Sequence, residues 1–144
     1  AEAGDITTFA DEYTTNLARR EAGSSRGQIL ALMAEKPSEE LQEALITRAA
    51  EWEEKRPGKV AADEVVRVAA GAARFVWTSA GVTYLVWRAN PDACPLCQEM
   101  NGRRVGVREY FLKPGESVGE LVAESNIASP PLHQGCKCNI VPEI

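Results

Sequence analysis

All four cysteines and the single histidine of this chain fall between residues 94 and 138. Thiolates and an imidazole gathered in one segment constrain a fold more than any periodicity does. They can be drawn to one cation or joined as disulfides, and either crosslink fixes an irregular stretch that a small core would hold weakly. Cys94-Pro95-Leu96-Cys97 is a two-residue-spaced knuckle, followed by Gly102, which relieves a tight backbone. Across the segment, His133 stands three residues before Cys136, and Cys138 follows after one more. The surrounding run, Pro130-Pro131-Leu132-His133-Gln134-Gly135-Cys136-Lys137-Cys138, has too little apolar content to be shaped by packing alone.

Zinc takes four tetrahedral ligands at a closed structural site, and five candidates are present: Cys94, Cys97, His133, Cys136 and Cys138. Two kinds of ligand set satisfy the spacing. In one, all four cysteines bind and His133 supports them from behind; in the other, Cys94, Cys97 and His133 are joined by either Cys136 or Cys138. Lys137 would offset the charge of a four-thiolate site. The competing reading is one or two disulfides in an exported or particle-borne protein. A redox enzyme is disfavoured because no helix-starting pattern immediately follows Cys97 to activate a nucleophile.

Other catalytic patterns are missing. The chain has no His-x-Glu followed by Pro-Cys-x-x-Cys, no His-Glu-x-x-His, no phosphate-cradling Gly-x-x-x-x-Gly-Lys-Ser/Thr loop and no dinucleotide glycine fingerprint. Glu99, Glu109, Glu116 and Glu124 are individually plausible acids, each read as solvent-exposed, and His133 as a general base is the lesser reading. The sequence therefore predicts no catalytic residues and a zinc site with a structural role. The runner-up is a metal-dependent enzyme or toxin-associated domain using His133 and a nearby acidic residue.

The rest of the chain reads as an α+β protein, a helical N-terminal half packed with a small cysteine/histidine metal-binding C-terminal module. Residues 1–59 are taken as a helical extension or scaffold and 60–144 as the C-terminal domain. Apolar spacing predicts an amphipathic helix over 5–22, a break where Gly23, Ser24, Ser25 and Gly27 loosen the chain, and a short piece over 29–34. Ser38 is a candidate N-cap, with Glu39 and Glu40 in the first turn, for a helix ending near Lys55 before Arg56-Pro57-Gly58. A third helix is expected over 61–79, burying Val65, Val68, Ala69, Ala72, Phe75 and Val76 while Asp63, Arg67 and Arg74 stay wet. Gly81 then permits a turn into a strand over 82–87, and Trp77 and Trp87 are read as core or interface anchors. A short helix is expected over 117–124, and an edge strand over 138–141 stopped by Pro142.

Charge and hydropathy exclude some partners. Net charge is -5, and the first 60 residues hold 8 Lys/Arg against 12 Asp/Glu. Such a chain does not advertise a duplex DNA-binding face; Arg103, Arg104 and Arg108 form the one modest basic group, read as a solvated loop. The most apolar stretch, 65–87, is interrupted by Arg67 and Arg74, which argues against a membrane span. The chain begins at Ala1 with no initiating Met and no basic segment leading into an apolar run, and is read as a processed or trimmed product.

Taken in order, Gly81, Trp87, Cys94-Pro95-Leu96-Cys97, Gly102, Phe111 and the Pro130 to Cys138 run resemble the C-terminal domain of bacteriophage Mu F-like minor head proteins, over roughly residues 60–141. Two departures stand out. The family helix often carries an Arg-Thr-Glu-like element where this chain reads Arg67-Val68-Ala69-Ala70-Gly71-Ala72, and Lys137 stands where arginine is common. Lysine keeps the charge but not the planar, bidentate geometry. The resemblance implies a phage or prophage head component that associates with the portal or other capsid proteins and supports head morphogenesis, DNA packaging or delivery. It further implies residence in the virion, and in the host cytoplasm during assembly, close to packaged DNA but without strong sequence-specific binding.

Overall fold

The computed structural model describes residues 6–143, so Asp5, where the first helix was expected to begin, lies outside the described residues. Within that range the chain forms two compact units, 6–60 and 61–143. The fold is α+β, with N-terminal helices and a C-terminal region bearing Cys and His clusters.

In the first unit, α1 (Ile6–Glu35) is followed by α2 (Ser38–Ser79), which contributes its residues 38–60 there. The pairings between the helices are polar and antiparallel in register. Arg48 Nη1 and Trp52 Nε1 both donate to Gln28 Oε1, at 2.9 and 3.0 Å. One turn further on, Arg56 donates to the Glu21 carboxylate at 2.7 Å, to the Glu21 carbonyl at 3.0 Å and to Ser25 Oγ at 2.8 Å.

Those contacts explain why α1 runs through the predicted break at 23–27. Ser25 Oγ donates back to the Glu21 carbonyl at 2.9 Å, and Arg56 spans this turn of α1. A tertiary clamp thus overrides an intrinsic penalty of about 1 kcal/mol per glycine. The expected stop at Arg56-Pro57-Gly58 is also absent, because α2 continues through Pro57. Proline removes one intrahelical donor, but Glu53 and Pro57 are both exposed, so water can satisfy the freed carbonyl.

In the second unit, α2 ends with a Schellman motif. Gly81 N–H donates to the Thr78 carbonyl at 3.2 Å and Val82 N–H to the Trp77 carbonyl at 3.0 Å. Gly81 takes φ +81°, the left-handed conformation that this cap requires. Trp77 and Val82, which the motif brings together, both pack on the core. The chain then enters β1 (Tyr84–Arg88), the middle strand of an antiparallel sheet ordered β2-β1-β5, where β2 is Arg104–Gly106 and β5 is Asn139–Glu143. Trp87 faces Ile140 across the β1–β5 pair. The expected stop at Pro142 does not occur; Pro142 pairs with Leu85 on an edge strand, where a missing N–H is tolerated.

Between β2 and β5 lies a hairpin of β3 (Ser117–Val118) and β4 (Leu121–Val122), where a helix over 117–124 was expected. Gly119, at φ +52°, makes the turn. A Cβ at Gly119 would lie 2.6 Å from Leu96 Cδ2, so the hairpin seats directly on the knuckle helix α3 (Pro95–Met100). The core is centred on Trp87, Leu85, Met100, Phe111, Leu112 and Ile140, all fully buried. Trp87 meets Phe111 edge to face at 5.2 Å between centroids.

Three charged groups assigned to solvent do structural work. Arg74 is half-buried and donates to the carbonyls of Ala128 and Glu109, and burial pushes its guanidinium pKa down. Asp63 Oδ1 accepts the Gly135 N–H at 2.8 Å. Arg104, expected in a solvated loop, lies over the Tyr84 ring at 3.4 Å and pairs with Glu143. The expected burial along α2 is only partly realised: Ala72 and Phe75 are half-buried, whereas Val65, Val68, Ala69 and Val76 are exposed, and the residue that α2 buries is Ala70, outside the expected set. No helix among the described residues is long and apolar enough to cross a membrane.

Candidate metal centre

The knuckle is set by α3. Cys94 takes the N-cap position and Pro95 opens the helix, where its fixed φ and missing N–H cost nothing. One turn on, Cys97 points into the core and is 2% exposed. A helix thus begins inside the knuckle, a feature absent from the sequence reading. Its first consequence is electrostatic. The Cys94 thiol makes no regular capping hydrogen bond, yet it is held below the usual cysteine range, chiefly by the backbone amide of Cys97 and then by Cys97 and His133 side chains.

The facing ligands come from the loop before β5. His133 Nδ1 lies 2.9 Å from the Gln134 carbonyl, which makes Nδ1 the protonated nitrogen and leaves the Nε2 lone pair free. That Nε2 sits 3.1 Å from Cys94 Sγ and 3.2 Å from Cys97 Sγ. The Cys136 N–H donates to the His133 carbonyl at 3.1 Å, closing a turn at whose crest Gly135 takes φ +78°. Cys136 Sγ lies 3.7 Å from Cys97 Sγ, close to the edge of about 3.8 Å that two thiolates share around a tetrahedral ion. All four cysteines are free thiols, so the disulfide reading is not realised.

The five sequence-predicted ligands form two overlapping groups. Cys94, Cys97 and His133 lie within 4.8 Å of one another, as do Cys97, Cys136 and Cys138, and Cys97 belongs to both. Among the described residues no four share that mutual distance. The groups differ in environment: Cys94 and His133 are partly exposed, while Cys97, Cys136 and Cys138 are buried. Burial pushes the Cys97 thiol well above its ordinary value, with Cys138 and Cys136 adding to the rise. Burial also raises Cys138, partly offset by Cys97 and by the indole of Trp87. The buried Trp87 Nε1 makes no regular hydrogen bond, and its N–H is turned toward that sulfur.

The exposed group opens onto a cavity of about 340 Å³, whose walls include Asp92, Cys94, Cys97, His133 and Lys137, together with Cys136 of the buried group. Either donor set, two sulfurs with an imidazole or three sulfurs, fits a divalent transition-metal ion. This arrangement overturns the expectation that the chain is not an enzyme. A Cys2His cluster beside an accessible cavity bearing a carboxylate is consistent with catalytic or metal-dependent activity.

The acids singled out in the sequence are elsewhere. Glu109 caps the Gly106 amide at 2.9 Å and Glu116 caps the Lys113 amide at 2.8 Å, and neither they nor Glu99 and Glu124 line the cavity. Asp92 does, and sequence reasoning passed over it. Its one available signal was position, two residues before the first cysteine in a turn-forming Asn90-Pro91-Asp92 run. Asp63 gave no signal, being 72 residues from the glycine it holds. No family model, curated protein or solved structure matches the chain.

Proposed function

We propose that residues 61–143 are a metal-dependent catalytic module in which Cys94, Cys97 and His133 hold a zinc ion and leave one coordination position toward the cavity. The observation that carries this reading is the three-ligand cluster, mutually within 4.8 Å, opening beside Asp92 and Lys137. Two thiolates and an imidazole suit zinc, and three protein ligands with an open position are the pattern of catalytic rather than closed sites. Cys136 and Cys138 then support the site through Cys97, their hydrogen-bonding neighbour.

A zinc ion there supplies Lewis acidity toward a carbonyl or phosphoryl oxygen. The chain supplies the remainder. His133 is held in one tautomer by the Gln134 carbonyl. On this reading Asp92, on the wall of the cavity, is the group that accepts the proton of an attacking water, and Lys137, on the same wall, attracts an anionic substrate group. The full chain loaded with zinc is expected to hydrolyse p-nitrophenyl acetate faster than the metal-free chain. Asp92→Asn should lower that rate on the order of 100-fold with zinc content unchanged. Equal rates with and without zinc would contradict the catalytic reading.

A second reading is favoured by one observation, the order of the Cys94 to Cys97 and Pro130 to Cys138 segments that resemble Mu F-like minor head proteins. On this reading the chain works in a phage head beside the portal or capsid, and metal-dependent chemistry could serve that setting. Saturable binding of the full chain to a purified phage portal ring supports the reading; no binding at micromolar concentration argues against it.

A further inference from the structure

Asp63 lies on α2, far from the cysteines in sequence, yet its Oδ1 accepts the Gly135 N–H at 2.8 Å. Gly135 is midway through the His133 to Cys136 turn and lines the cavity. With the turn closed by the Cys136 N–H, the amide of its third residue, Gly135, has no partner within the turn, and the φ of +78° is the glycine-favoured value at that position, so the amide takes its acceptor from elsewhere. Asp63 is that acceptor. The same helix carries Arg74, which donates to the carbonyl of Ala128 at the start of the ligand-bearing segment. Helix α2 therefore grips this segment near both ends, by a cation on a carbonyl and by a carboxylate on an amide.

We infer that Asp63 is a positioning residue for the metal centre: its hydrogen bond to Gly135 fixes the turn that presents His133 and Cys136 to the ion. The inference rests on the metal reading given above and adds the group that orients its ligands. A carboxylate is stronger here than a neutral acceptor because a charged acceptor shortens and strengthens an amide hydrogen bond. Outer groups that orient metal ligands typically account for 10- to 100-fold in affinity.

The test is competitive titration of the full-length chain with zinc and Co2+, with the Co2+ absorption spectrum recorded alongside. Asp63→Ala is expected to weaken binding about 10-fold or more and to shift the cobalt bands. Asp63→Asn, which keeps an oxygen acceptor, should recover most of the loss, and Glu64→Ala, one residue along, should bind as the parent does. The Gly135 amide resonance of metal-free Asp63→Ala should move upfield, and melting of the metal-free chain gives the purely structural cost separately. Parent-like affinity and cobalt spectrum in Asp63→Ala would overturn the positioning role alone. Failure of the parent chain to bind either metal would overturn the metal reading, and this inference with it.

Discussion

Cys97 is the residue on which the site turns. It is buried, it belongs to both ligand groups, and its thiol pKa is raised by that burial. Replacing it with serine should abolish stoichiometric zinc binding and lower hydrogen-exchange protection over 94–138 while leaving 6–60 unchanged. Unchanged protection over 94–138 would contradict its role. Trp87→Ala, which empties the centre of the core, should cost about 3–5 kcal/mol in a denaturant titration. The buried thiols also set a pH dependence. In the metal-free chain Cys97 and Cys138 stay neutral when folded, whereas unfolded thiols ionise around 9.0. Above that value the unfolded state binds fewer protons than the folded one, so stability falls as pH rises, and it is fully present below it. Urea midpoints on either side of 9.0 measure this. At this scale the sequence was legible where chemistry is carried by residue type: five rare ligands in one segment announce themselves. Asp63, Asp92 and Arg74 were not legible, because aspartate and arginine are ordinary surface residues until a fold brings a particular amide, cavity or carbonyl to them.

Elements were legible wherever a local signal agreed with its surroundings. Gly81 ends α2 and β1 follows it, as the switch from small helical residues to Tyr84-Leu85-Val86-Trp87 implies. The failures came where local breakers were outvoted. Gly23 and Gly27 sit in a helix fastened by Arg56, and Pro57 sits on an exposed face of another. These positions make a direct prediction. A Cβ at Gly23 or Gly27 would meet no atom within 4 Å, so alanine at either should raise stability by about 0.5–1 kcal/mol. Pro57→Ala should add up to about 3 kcal/mol, read as a higher helical melting temperature. Gly119 has the opposite sign. Its φ of +52° and the approach of Leu96 leave no room for a methyl group. Gly119→Ala should therefore destabilise the hairpin and displace α3, weakening zinc binding through the knuckle. The hairpin was missed because two-residue strands are too short to show a period of two.

At the scale of the molecule, the two units are held by different physics. Residues 6–60 bury a single large apolar side chain, Leu32, and rely on the polar set around Gln28 and Arg56. Residues 61–143 have a dense apolar core into which α3 inserts Met100 and Cys97, so folding of that core and assembly of the ligands are one event. Chelating the metal should accordingly lower the melting temperature of 61–143 and leave that of 6–60 unaltered, resolved by hydrogen exchange across a temperature series. The α+β class and the cysteine/histidine centre were readable from composition and spacing; the open side of the centre was not, since it depends on the cavity that Asp92 and Lys137 help to line. X-ray absorption at the zinc edge of the full loaded chain tests the central claim most directly. Two sulfurs at about 2.3 Å, one imidazole nitrogen and one light solvent atom at about 2.0–2.1 Å are the result predicted for an open Cys94, Cys97 and His133 site. A shell of three or four sulfurs closed by protein ligands alone would contradict it.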